Sequence, residues 1–136
     1  MPYYKLGRIK SMKKLTILLF SILISFSSYS EWTEIEQSTE GVTYYIDKDT
    51  IKERGGNVYF WALLDRSTPD SDGDNSVEYM MQAECDLIRA KRESILGYKG
   101  PMGTGKSKSY TSSKWEYIPP GTIDAFLVKY ACKYVK

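Results

Sequence analysis

The stretch Val77 to Cys85 reads VEYMMQAEC: Val77, Tyr79, Met81, Ala83 and Cys85 take every second position, with Glu78, Met80, Gln82 and Glu84 between them. Only extended backbone puts alternate side chains on one side, so this segment is a strand with a mainly apolar face and a mainly polar one. Such a strand needs hydrogen-bonded neighbours and a cover for its apolar face. It also turns Cys85, one of two cysteines in the chain, toward the core.

The flanking sequence supplies neighbours. VTYYID, Val42 to Asp47, alternates with Val42, Tyr44 and Ile46 on one face. VYFWALLD, Val58 to Asp65, is apolar on both faces and predicts a central strand covered on both sides. The segment from Ile88 to Tyr98, IRAKRESILGY, predicts an antiparallel partner after a short turn near Asp86-Leu87. EWTEIEQS reads as a short first strand, STEG as a turn ending at Gly41, and DKDTI as a tight or single helical turn. Gly55-Gly56-Asn57 is a break.

The cover comes last in the chain. Beyond Pro119-Pro120, Thr122 can cap a helix and Asp124 suits its first turn. Ile123, Phe126, Leu127, Tyr130 and Ala131 then form an amphipathic stripe meant for a sheet. Cys132 falls at the edge of that stripe, so a bond to Cys85 requires the helix end to tilt or fray. The expected fold class is α+β, a single antiparallel β-sheet with a C-terminal α-helix on one face.

Residues 1–30 are read separately. They carry five basic residues, no acidic ones, and the apolar run Leu15 to Phe26 before Ser28-Tyr29-Ser30. A basic region, a short apolar stretch and a small-x-small site describe a secretory signal peptide, cleaved after Ser30, with Met12 a natural start. Such a run rises about 18 Å as a helix against a hydrocarbon core of about 30 Å, which disfavours a span; an uncleaved anchor is the alternative. Residues 31–136 then form one domain. Fourteen of the nineteen basic residues remain there against all seventeen acidic ones, a net charge of −3. The basic pI therefore belongs to the leader, and a nucleic-acid role loses its support.

Two cysteines in an exported chain favour a disulfide, with two buried free thiols as the alternative. The chain has no histidine, which excludes Ser-His-Asp and Cys-His catalysis, and two sulfurs alone leave zinc too few ligands.

Three motifs remain. GPMGTGKS, Gly100 to Ser107, fits the phosphate-loop pattern G-x-x-x-x-G-K-[ST] letter for letter. A working loop of that kind joins a buried parallel strand to a helix. Here charged residues alternate before it (Arg89, Lys91, Glu93) and β-branched and aromatic residues follow it, so a glycine-rich hairpin or connecting loop is expected, with no nucleotide and no other cofactor. DSDGDN, Asp70 to Asn75, has calcium-like carboxylates at Asp70, Asp72 and Asp74 but lacks the glycine and glutamate of a calcium loop. A solvated loop is expected, with weak calcium binding as the alternative and no metal site assigned. RAKR contributes Arg89, Lys91 and Arg92 as candidate partner-binding residues, a plain solvent face being the alternative.

Several segments together resemble the surface-adhesin protein E family of small exported bacterial proteins. They are Trp32, GVTYYIDKDTI from Gly41 to Ile51, FWALLD from Phe60, Cys85, YKGPMGTGKS from Tyr98, WEYIPPGTIDAFL from Trp115 and Cys132, spanning nearly all of Glu31 to Cys132. The resemblance implies an antiparallel sheet with the helix tethered across one face by a Cys85–Cys132 disulfide. It implies that the glycine-rich segment is the family's own loop, and it brings no catalytic motif. For the members that gave the family its name it implies adhesion to host extracellular-matrix proteins by lipoproteins on the outer surface. This sequence departs by having no cysteine near the cleavage site. The expectation is an exported, non-enzymatic, adhesin-like module that binds a protein partner at the periplasm or cell surface, with a homodimer left open. A soluble periplasmic structural or stress-related protein is the alternative.

Overall fold

Eight strands form one sheet in the computed structural model, which describes residues 31–135. The expected leader, its start at Met12 and its cleavage site lie outside these residues. In chain order the strands are β1 (Trp32–Gln37), β2 (Val42–Asp47), β3 (Lys52–Arg54), β4 (Asn57–Arg66), β5 (Ser76–Glu84), β6 (Arg89–Tyr98), β7 (Ser107–Tyr110) and β8 (Glu116–Tyr117). Helix α1, Ile123–Tyr134, follows. The spatial order is β1-β2-β4-β5-β6-β7, with β3 added beside β4 and β8 beside β6, and all pairs are antiparallel. The helix is too short to cross a membrane.

One face of the sheet lies under α1. Ile46, Val58, Phe60, Ala62, Tyr79, Met81, Ala83 and Ala90 pack there against Leu127, Val128 and Ala131 in a single buried cluster. Thr122 caps the helix by accepting from the Ala125 N–H at 3.3 Å. The period of β5 behaves as its sequence dictates: Tyr79, Met81 and Ala83 are buried under α1, and Cys85, just past the strand, packs against the same cluster.

The phase of the helix differs from the sequence expectation. Its buried residues are Ala125, Leu127, Val128 and Ala131, whereas Phe126 is 49% exposed. Two alanines on the inner side let the helix come close to the sheet, and the large Phe126 is left outside. In this phase Cys132 follows Ala125 and Val128 at i, i+3 and i+7, on the flank of the buried stripe. It bonds Cys85 with 5.9 Å between Cα atoms, inside an unbroken helix. No tilting or fraying of the helix end is needed.

The central strand is also covered less than its sequence suggests. On the face away from α1, Leu63 of β4 is fully buried, but Tyr59 and Trp61 are only half-buried. No α-helix lies there among the described residues. The cover over Leu63 is the glycine-rich loop itself.

Candidate functional site

That loop joins β6 to β7, two antiparallel strands, as a hairpin connection. Lys99 N–H donates to the Lys106 carbonyl and Gly100 N–H to that of Thr104, at 3.0 and 2.9 Å. At its tip Met102 and Gly103 both take left-handed backbone, φ 52° and 69°. The N–H groups of both residues are taken up from within the chain. Met102 N–H donates to the Asp65 carboxylate and Gly103 N–H to the Ser76 hydroxyl, each at 2.9 Å. Ser76 in turn donates to the Gly100 carbonyl at 2.7 Å. The loop is thereby pinned across the starts of β5 and β7 and the ends of β4 and β6. Glu78 lies beneath it, its carboxyl held above the ordinary range mainly by burial.

The acidic loop between β4 and β5 is tied down too. Asp70 Oδ1 accepts from the Asp72 and Asp74 N–H groups, both at 2.9 Å. The carboxylate oxygens of Asp70, Asp72 and Asp74 lie within 4.8 Å of one another. Lys99 Nζ sits 3.2 Å from Asp74 Oδ1 and donates to the Asp72 carbonyl at 2.8 Å, so an ammonium from the chain supplies positive charge here. Asp74 is not solvated as expected; it is 1% exposed. Its Oδ2 accepts from the Tyr110 hydroxyl across Gly97, where a Cβ would meet Tyr110 Cε2 at 2.7 Å and Asp74 Cγ at 2.9 Å. Only glycine leaves room for this bond.

The pair makes stability depend on pH at both ends. Asp74 is held below its ordinary range, first by the Tyr110 hydroxyl and then by Lys99, against the opposing effect of burial. A depressed carboxyl contributes above the unfolded value of about 4 and loses that contribution as pH falls through the folded value. The same bond pushes Tyr110 up to about 12. A raised phenol contributes below about 10 and is lost as pH rises through the folded value. Thermal melts should therefore fall more steeply below pH ~4 and above pH ~10 for the native chain than for Asp74→Asn. Parallel profiles would show that the pair contributes nothing.

With one end of this face closed by the loop, the other end stays open. Strand register arranges it in rows: Trp61 opposite Met80 and Ser94, then Lys52 opposite Tyr59, Gln82 and Lys91, with Arg54 opposite Asn57 at one side and Glu84 opposite Arg89 and Tyr117 at the other. Trp115, just before β8, lies between two cations, with the Arg89 guanidinium 4.8 Å and Lys91 Nζ 5.5 Å from its ring centre. Arg89 is also clamped by Glu84 through two bonds of 2.8 and 2.7 Å, which hold the Glu84 carboxyl low. Tyr117 beside it is 70% exposed. On the far side a cleft of about 260 Å³ opens between the turn at Asp49 and Thr50, the β3 cations Lys52 and Arg54, and a floor of Tyr59, Trp61 and Met80.

Of the three basic residues singled out in the sequence, the structure brings Arg89 and Lys91 together around Trp115. It sends Arg92 to the opposite face. Alternation along β6 puts Arg92 on the face of Ala90, away from Arg89 and Lys91, and it lies opposite the buried Met81; the register slip that leaves Glu93 as an extra residue comes only after it. There it bonds Asp124 of α1 at 2.6 Å and stands 4.9 Å from the Tyr79 ring. Trp115, Tyr117 and the β3 cleft were not anticipated. The spacing of Trp115 and Tyr117, two apart on an extended segment, was the available signal.

The chain compares with known proteins as follows. Among curated proteins none matches it at significant similarity. Crystal form II of Haemophilus influenzae protein E is 17% identical with a TM-score of 0.58, over 79% of this chain and 91% of that one. The selenomethionine form of that protein is 19% identical with a TM-score of 0.58, over 79% and 89%. Protein E from non-typeable H. influenzae is 16% identical with a TM-score of 0.53, over 79% and 78%. At such identities the likeness establishes the fold, including its sheet and helix. The model of the surface-adhesin protein E family matches residues 32–133, almost the whole described domain. The chain belongs to the surface-adhesin protein E family.

Proposed function

We propose that the chain is an exported, non-enzymatic, adhesin-like module that binds extracellular or host proteins at the cell envelope through the open end of its sheet. The observation that carries this reading is the uncovered face itself. Strands β3, β4, β5, β6 and β8 present aromatic rings and cations there, while the helix and the glycine-rich loop cover the rest. Aromatic rings and arginine concentrate binding energy when a partner dries them. Family membership supports the reading, since its founding description is of a surface adhesin.

The test has two arms. Protease shaving of intact cells should remove the protein, and immobilised matrix proteins should capture the purified domain. Arg89→Glu combined with Lys91→Glu should weaken that capture at least about fivefold in a domain that still folds, with a somewhat lower melt because Glu84 loses its partner, since reversed charges repel what the native ones attract. Recovery only from the periplasmic fraction, without matrix capture, would replace this reading with a soluble periplasmic structural or stress-related role.

A further inference from the structure

We infer that the cleft beside β3 takes an extended acidic segment of a protein partner, anchored by one large apolar side chain. The inference rests on the reading of this face as the partner surface and names what it recognises. The floor is apolar on top and fixed below. Trp61 N–H donates to Thr50 Oγ1 at 3.1 Å, and Thr50 Oγ1 donates to the Asp47 carbonyl at 2.8 Å, so the turn that walls the cleft is tied to the strand that floors it. The volume of about 260 Å³ admits a phenylalanine or leucine side chain and is small for a drug-sized ligand.

Charge sets the class of the segment around that anchor. Lys52 and Arg54 share the face of Tyr59 and are exposed, and neither forms an ion pair among the described residues. The cations across the face are different, since Arg89 is held by Glu84 at 2.7 Å and Lys91 lies 3.4 Å from Glu93. The uncompensated positive charge is therefore on β3. Asp49 stands on the opposite wall and repels a carboxylate there. An incoming segment is accordingly oriented, with its acidic residues over Lys52 and Arg54 and its apolar anchor inward over Trp61 and Met80. Because β3 has three residues and only one described neighbour, β4, the segment can lie along its free side in extended form.

Fluorescence anisotropy tests this with the whole domain and a labelled peptide that has several glutamates on one side of a central phenylalanine. Binding should weaken about tenfold for Lys52→Glu with Arg54→Glu, and about tenfold when alanine replaces the peptide's phenylalanine. Arg89→Glu with Lys91→Glu, which should weaken matrix capture at least about fivefold, should change peptide affinity by less than about twofold. Equal affinity of the phenylalanine and alanine peptides, or indifference to the β3 charges, overturns the inference. So does a sulfated polysaccharide that binds through Lys52 and Arg54 where the peptide does not. A dimer that dissociates on reversing those charges would likewise assign the cleft to a second copy. Matrix capture that persists without peptide binding removes this inference and leaves the proposed function standing.

Discussion

Replacing Cys85 and Cys132 with alanine should lower the midpoint of thermal unfolding by about 15–20 °C. The bridge spans a sequence separation of 47, and closing a loop of that length restricts the unfolded chain by about 4 kcal/mol in the entropy model. What it holds is specific. It joins the end of β5 to the last turn of α1, and α1 is the cover for the core under Phe60, Met81 and Ala83. Without it the helix keeps its cap at Thr122 and the Arg92–Asp124 bond at its start, so loosening should begin at its C-terminal turn. Hydrogen exchange should show that turn losing protection first, and the oxidised native protein should resist alkylation without reductant. A midpoint lowered by less than about 2 °C would mean that packing alone secures the helix.

The second large effect separates two neighbouring residues. Leu127→Ala should cost about 2–5 kcal/mol, since Leu127 is fully buried in the cluster and the helix cannot collapse into the gap without losing contacts elsewhere. Phe126→Ala, one position earlier and chemically the larger deletion, should cost below about 1 kcal/mol because nearly half of that side chain already faces water. Denaturant melts of both variants, read from their midpoints at constant slope, provide the comparison. Reversed costs would restore the stripe drawn from the sequence and contradict the helix phase of the structure. The contrast also bears on function, since Phe126 on the outer side of α1 is not part of the proposed partner face.

Strands β1, β2, β4, β5 and β6 were legible because their signal is local, whereas the short β3, β7 and β8 carry too few alternating residues to show one. Alternation in β5 follows from the geometry of a single extended segment, and it located Tyr79, Met81 and Cys85 on the inner face without reference to any neighbour. The helix was legible as a helix for the same reason, with Thr122 at its cap. Its phase was not, because Phe126 and Tyr130 outweigh two alanines in any count of hydrophobicity, whereas close approach to a sheet favours the alanines. The glycine-rich stretch was legible as a hairpin connection. That Asp65 and Ser76 would take its N–H groups was invisible, since those partners lie 37 and 27 residues away.

The candidate site shows the same division. Arg89 and Lys91 could be seen as a basic pair, and Arg92 stood with them only because sequence proximity looks like spatial proximity. Ordinary alternation along β6 sets Arg92 on the face of Ala90, toward the helix, and that period-two signal was present in the sequence. By itself, then, the sequence determined five of the eight strands, the final helix, the pairing-competent cysteines and a family kinship, all properties of short windows or of residue identity. Tertiary structure alone decided which end of the open face stays uncovered, which cations gather around Trp115, and that a cleft forms beside β3. Those outcomes depend on strand register and on where a distant loop lands, and neither is encoded within any single segment.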